Sequence, residues 1–522
     1  MQRVLAQHRP VYLFGLEVAQ FLQGGIGPLY PLHQGAGRIL ALRQAGSQPV
    51  DEIHQEAGHL FSEVVLIRHV NLLSVCDETP RRNLAVQNWL VLRLERLVNV
   101  RPDEVAALLW AFAYFFCLLC AYYILRPLRD EMGVAAGVSN LQWLFTATFL
   151  VMLAAVPLFG MLVSRLPRRR FVPSVYWFFI ACILAFFGLL QIDAWRVPVA
   201  RAFFVWVSVF NLFVVTVFWG FVADLFSFEQ GRRLFGFVAA GGTAGALLGP
   251  SLTAALAVPL GPVNLLLISA LFLLCATQCV QGLLRSAQAQ AGEAASKLDG
   301  AGPSGEAIGG GILAGLTEVA RSPYLLLICA HVLLLALTNT FLYFQQASIV
   351  AGAFDNPAER TRVFALIDLS VGVVTLVVQL TITGRILTRY GAGPALALLA
   401  LVTMAGFGAL AMLPALAAVI IFQAAKRATE FAVANPARET LFTVVSREQK
   451  YKAKSFIDTA VFRGGDAASG WVYTGLRALG MELAHIAWLT VPIAALWALL
   501  LLHLGKMQVR LAAEGIQEEK RT

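Results

Sequence analysis

The chain has 522 residues, 58% of them hydrophobic and only 14% charged, and its mean hydropathy of +0.71 lies well outside the range of soluble domains. Its net charge of +9 would point to nucleic acid in a soluble protein, but the basic residues sit in short loops between apolar runs, where membrane topology accounts for them. With no basic stripe carrying interleaved aromatics, composition excludes a soluble enzyme and a nucleic-acid binder and predicts an all-α polytopic membrane protein.

Residues 1–104 differ from the rest. They hold five of the eight histidines, no run long enough to span a bilayer, and a weak apolar stretch from Val11 to Leu22 that Glu17 interrupts. No small-residue cleavage site follows, so a signal peptide fits poorly. Leu90, Leu94 and Leu97 share one helical face, which predicts an interfacial helix over 82–99. There is no methionine between Met1 and Met132, so the region reads either as a loosely folded extension or as upstream sequence joined to a start near Leu94 to Val100.

From Val105 onward, apolar runs of about 20 residues recur at 105–126, 141–163, 171–191, 199–222, 235–258, 262–282, 324–346, 363–384, 394–412, 415–435, 456–477 and 484–504, which predicts about twelve spans. The basic loops all follow even-numbered spans: Arg165, Arg168, Arg169 and Arg170 after the second, Arg232 and Arg233 after the fourth, Arg385 and Arg389 after the eighth, and Lys450, Lys452 and Lys454 after the tenth. The positive-inside rule then places both ends in the cytoplasm. An Ala/Gly/Ser-rich stretch, 285–323, links a first half, 105–284, to a second, 324–505, and 506–522 forms a tail. The halves look like repeats, because Arg165 and Arg169 recur as Arg385 and Arg389 at an offset of 220, and the same offset carries 105–126 onto 325–346.

The charges inside the apolar runs carry the chemistry. A charge at the centre of a spanning helix costs about 2.5–3.5 kcal/mol on insertion scales, so such groups face a partner or a wet cavity. With a helix entering near Ala415, Lys426 and Arg427 fall roughly 17 Å into a core about 30 Å thick, the depth at which secondary transporters keep their substrate sites. Arg126 and Arg129, beside a helix-breaking Pro127 at the outer end of the first span, suit capture of an anion from outside, and Lys450, Lys452 and Lys454 would line the inner mouth. Each has a structural rival. Arg129 with Asp130, Lys426 with Glu430 and Arg463 with Asp466 are spaced to neutralise one another, and the loop lysines serve equally as topology-setting charges.

Other features divide in the same way. Asp368, five residues into the eighth run, is a proton or cation site or a polar helix end, and His331 reads as a packed helix residue. Asp224 and Glu229 could gate by pairing with Arg232, Arg233 or the first-half arginine loop. Gly241, Gly245 and Gly249, four apart, make a small-residue face for helix packing, with a sliding surface between halves as its functional extension. The seven cysteines lie mostly in apolar runs, which argues against disulfides and a metal site. No phosphate-binding G-x-x-x-x-G-K-[ST] loop occurs, so a nucleotide would be cargo rather than fuel, and no hydrolase or metalloprotease motif is present.

Two resemblances follow from these motifs. Gly160-Met-Leu-Val-Ser164-Arg165-Leu-Pro-Arg168-Arg169 resembles the cytoplasmic-loop signature of the major facilitator superfamily, with Ser164 in place of its acid. The stretch Tyr122 to Val134 with Arg126, Arg129, Asp130 and Glu131, the stretch Glu229 to Gly236, and Asn435-Pro-Ala-Arg438-Glu439 followed by Lys450, Lys452, Lys454, Asp458 and Arg463 resemble the nucleotide (ATP/ADP) exchange transporters, in the same order along the chain. That resemblance implies exchange of an anionic nucleotide across a membrane, and the superfamily's architecture implies two six-helix halves rocking in alternating access. The expected substrate-binding residues are Arg126, Arg129, Lys426, Arg427, Glu430, Arg438, Lys454 and Arg463, and the gating or coupling residues Asp130, Asp224, Asp368, Glu439, Asp458 and Asp466. No catalytic residue, cofactor or metal is expected; the partners are the lipid bilayer and an anionic small molecule, ATP/ADP by the resemblance, with the oligomeric state open. Two other readings stay open, a proton-coupled transporter of another organic anion and a transport-inactive membrane scaffold. Arginine outnumbers lysine 33 to 7, as a GC-rich bacterial genome would give, which places the protein in a bacterial cytoplasmic membrane.

Overall fold

The computed structural model describes residues 100–519 apart from 102, 103, 166, 167, 291–316, 318, 446–448, 450–452 and 455. The extension over 1–99 with its expected interfacial helix, most of the linker, and Lys450 and Lys452 lie outside the described residues. The described chain is helical. The first half runs α1 (Val105–Ala135), α2 (Leu141–Arg165), α3 (Arg168–Leu189), α4 (Arg196–Leu225), α5 (Phe228–Leu260) and α6 (Leu265–Gln290). The second runs α7 (Pro323–Ala353), α8 (Pro357–Val378, continuing to Tyr390), α9 (Ala392–Met412), α10 (Leu416–Thr429, continuing to Leu441), α11 (Ile457–Val461 and Phe462–Ala478) and α12 (Leu483–Glu519).

Local chemistry sets several of these boundaries. Ser227 and Gln230 form a reciprocal capping box that starts α5, with bonds of 3.3 and 2.9 Å. Asn356 accepts from the Ala358 amide at 2.9 Å, and Pro357 stands at the first turn, so α8 begins six residues before the apolar run that predicts it. α1, by contrast, does not stop at Pro127. It passes through the proline and continues to Ala135, because in a packed span the neighbouring helices compensate for one lost amide.

Among the described residues ten helices are long and apolar enough to cross a membrane. The expected spans 415–435 and 456–477 are helical as well, but π-helical turns at Glu430–Ala434 and Ile457–Val461 break them into shorter pieces that carry charges. A third such turn, Gln379–Thr383, lies in α8. Single π turns inside α-helices mark places where a side chain is re-aimed, often for function.

Within the first half, α1 is the central element and packs on α4, α5 and α6. The glycine face of α5 turns toward α1: a methyl group on Gly249 would stand 2.8 Å from Cβ of Tyr123, and one on Gly245 would run into the Phe116 carbonyl. That face therefore serves packing inside one half rather than sliding between halves. In the second half α9 lies along α12, with Gly393 and Gly505 in backbone contact, and α7 packs on α11 and α12. His331 sits packed in α7, where it accepts a hydrogen bond from Trp497 Nε1 at 3.1 Å. The halves meet where α5 and α1 pack on α8 and where α2 packs on α11.

Candidate functional site

Three arginines converge at the junction of α1, α8 and α10. Asp368, on α8, holds Arg427 of α10 at 2.7 Å and stands 3.6 Å from Nε of Arg126 on α1. It lies 11 residues beyond Pro357, so the aspartate read as a helix end is roughly 17 Å along the helix, well inside it. Arg126 and Arg129, expected at the end of the first span, likewise lie within α1, which continues to Ala135 and brings Arg126 to Asp368. Arg129 is bound by Asp130 at 2.6 Å, which in turn accepts a hydrogen bond from the Tyr343 hydroxyl of α7 at 3.1 Å. The Arg129 guanidinium also lies over the Phe204 ring, 5.1 Å from its centroid.

The charges of this cluster do not cancel. Among the described residues, Arg126, Arg129 and Arg427 pair with Asp130 and Asp368 alone, which leaves one positive charge in excess. The three arginine side chains keep 18%, 17% and 13% of their surface exposed. Arg126 Nε and Asp368 Oδ2 are also buried without a hydrogen-bond partner. Unfilled donors on planar forks are what a phosphate group uses.

Lys426 behaves differently from its neighbour. The two side chains leave α10 about 100° apart, and Lys426 points into the second half, fully buried, where it donates to Asn339 Oδ1 of α7 and stands 4.0 Å from Glu430. Asn339 also donates to Glu430 at 3.5 Å, while Asp466 accepts from Thr340 at 3.4 Å and lies 3.5 Å from Arg463. Lys426, Glu430, Arg463 and Asp466 thus belong to a polar core among α7, α10 and α11, adjoining the arginine cluster. Arg438 pairs with Asp458 at 3.3 Å and Lys454 with Glu439 at 2.6 Å, which ties the end of α10 to the start of α11 away from both groups.

Asp224 and Glu229 lie exposed near the α4–α5 connection. The described Arg233, one of their expected partners, makes a two-pronged bond to Glu104 at 2.9 and 3.2 Å. A cross-half pair that motif reading had passed over lies near the ends of α1 and α8: Glu131 is 4% exposed and accepts from Arg360 at 2.7 and 2.8 Å. Its signal was the Glu-Arg-Thr-Arg run at 359–362, which falls before the apolar window and so reads as loop. On the same face Trp471 of α11 donates to Thr146 of α2 at 3.0 Å, so the halves are held together there. Among the described residues no group of three or more His, Cys, Asp or Glu is placed to hold a metal ion.

Residues 107–428 match the Major Facilitator Superfamily. The chain belongs to that superfamily. It is a membrane transporter of two six-helix halves. Its fold is similar to that of a bacterial homologue of the iron transporter ferroportin in an inward-facing state (TM-score 0.55, 14% identity, 77% of this chain and 98% of that one). It is similar also to the nucleoside transporter NupG (TM-score 0.53, 13% identity, 77% and 99%). In sequence the chain is 23% identical over 497 residues to ADP,ATP carrier protein 1 of Chlamydia muridarum (strain MoPn / Nigg), covering 81% of this chain and 92% of that protein. The protein of the same name from Chlamydia trachomatis serovar D is 22% identical over 497 residues, with 80% and 92% covered.

Proposed function

We propose that this superfamily member exchanges an anionic nucleotide across a bacterial cytoplasmic membrane by alternating access, with both ends in the cytoplasm. The observation that carries the reading is the excess positive charge of Arg126, Arg129 and Arg427 where α1 meets α8 and α10. A polyphosphate leaves water only where several cationic donors match it, and guanidinium forks match its oxygens. Similarity to two ADP,ATP carriers along most of the chain supports a nucleotide as the cargo. In this reading the face held by Glu131 with Arg360 and by Trp471 with Thr146 is the closed outer face, and substrate enters from the cytoplasm.

The test is counterflow in liposomes loaded with a panel of nucleotides. Saturable exchange of at least one phosphorylated nucleoside is expected, and Arg427→Ala abolishes it. Robust exchange of neutral sugars with no response to any nucleotide overturns the reading. A second reading, proton-coupled transport of another organic anion, is favoured by the buried carboxyl groups of Glu430 and Asp466. Uptake driven by a pH gradient and indifferent to trans nucleotide would establish it instead.

A further inference from the structure

Of the three arginines in the central cluster, only Arg126 depends on a carboxylate from the other half. Arg129 is matched by Asp130 on its own helix, and Arg427 by Asp368 within the second half, whereas Arg126 on α1 reaches across to Asp368 on α8. Asp368 therefore serves two cations and serves them unequally. One oxygen holds Arg427 at 2.7 Å; the other lies 3.6 Å from Arg126 Nε, outside hydrogen-bond range, and neither atom of that second contact has a hydrogen-bond partner. A carboxylate has two oxygens for two forks, while a phosphoryl group brings three, with a greater charge.

We propose that Asp368 is a resident competitor for the substrate's phosphoryl group: it bridges Arg126 and Arg427 across the halves, and an incoming phosphoryl group takes over Arg126. This rests on the reading of the cargo as a phosphorylated anion. The consequence concerns coupling. Rocking the halves apart at α1 and α8 carries Asp368 away together with Arg427 and takes from Arg126 the one carboxylate that pairs with it among the described residues, which a largely buried guanidinium tolerates poorly. A bound phosphoryl group supplies that countercharge, so the halves part when loaded and stay together otherwise. Exchange without leakage follows from one shared aspartate.

Binding of inorganic pyrophosphate to the purified full-length protein tests this. Asp368→Asn removes the competitor but keeps the size and both arginines, and pyrophosphate is expected to bind it at least tenfold more tightly than the unaltered protein. Equal or weaker binding, or no binding to either, overturns the proposal, since a merely structural aspartate would give loss rather than gain. Should Asp368→Asn fail to yield monodisperse protein, Arg126→Gln decides: it leaves Asp368 fully engaged with Arg427. At least a tenfold weakening of pyrophosphate binding supports the proposal and unchanged binding overturns it. Pyrophosphate has neither base nor sugar, so the two readings fail separately. Absent nucleotide counterflow sinks the nucleotide and leaves a gain in Asp368→Asn standing; nucleotide exchange without that gain sinks only the competition.

Discussion

Glu131 on α1 and Arg360 on α8 are joined by two parallel hydrogen bonds of 2.7 and 2.8 Å, and through them the first half grips the second. Arg360 is held in turn by the carbonyls of Phe354 and Asp355, at 3.2 and 3.3 Å, so the fork is fixed before it meets the carboxylate. A two-pronged, largely buried pair of this kind leaves an unmatched charge when one partner is removed, at a cost of about 3–5 kcal/mol. Arg360→Ala should therefore loosen this face. The measurement is modification of a cysteine placed at Val134, 8% exposed just beyond the pair, by an impermeant maleimide added to intact cells. At least fivefold faster labelling in Arg360→Ala is expected, and an unchanged rate would show that the pair does not hold the face shut.

The α5 glycines make a second prediction, about stability. A side chain at Gly245 would collide with the Phe116 carbonyl, which belongs to the backbone of α1 and cannot step aside. Gly245→Val should abolish the monodisperse peak in detergent chromatography. Gly236→Ala, one helix segment earlier and with nothing within 4 Å of the added methyl, should leave that peak intact.

Much of this was legible from residue order, because the bilayer enforces a single length scale on every span. The twelve runs and the two halves follow from hydropathy and a fixed rise per residue. What hydropathy cannot register is a helix that begins or ends in charge. α8 starts at Pro357, just before a Glu-Arg-Thr-Arg run, so both Arg360 and the position of Asp368 well inside the helix escaped a window that opens at residue 363. Pro127 misled in the opposite sense, since the rule that proline ends helices is weaker where neighbouring helices complete the packing. The divergence of Lys426 from Arg427 was foreseeable from helical geometry, as adjacent residues point to different neighbours. Which of them faces the other half needed the packing of α7, α8 and α11.

Glu104 supplies a pH-dependent prediction. Burial tends to raise its pKa, but the bonds from Arg233, from the Arg101 amide and from Gln230 outweigh this and hold it below the ordinary glutamate value. A carboxylate depressed in the folded state stabilises above its unfolded pKa, and that stability is lost as pH falls through the lowered folded value. The melting temperature should thus drop below about pH 4 in the unaltered protein. Glu104→Gln should melt lower at pH 7, by an amount matching a charged hydrogen bond of about 2 kcal/mol, and lose less on acidification. Parallel pH profiles in the two proteins would rule the pair out as a stabilising element.

Lys426 offers the sharpest separation between structure and transport. It is fully buried, donates to Asn339 and stands beside Glu430, while the partly exposed arginine forks belong to its neighbour and to α1. Lys426→Met leaves the Glu430 carboxylate buried without its cation, a change expected to destabilise by about 3–5 kcal/mol. Adding Glu430→Gln removes the stranded charge and can donate to or accept from Asn339, so the double variant should recover monodisperse, thermally stable protein. If the lysine only balances Glu430, that double variant should also bind pyrophosphate as tightly as the unaltered protein. A double variant that folds but binds at least tenfold more weakly would place Lys426 in contact with the anion and enlarge the site from three cations to four.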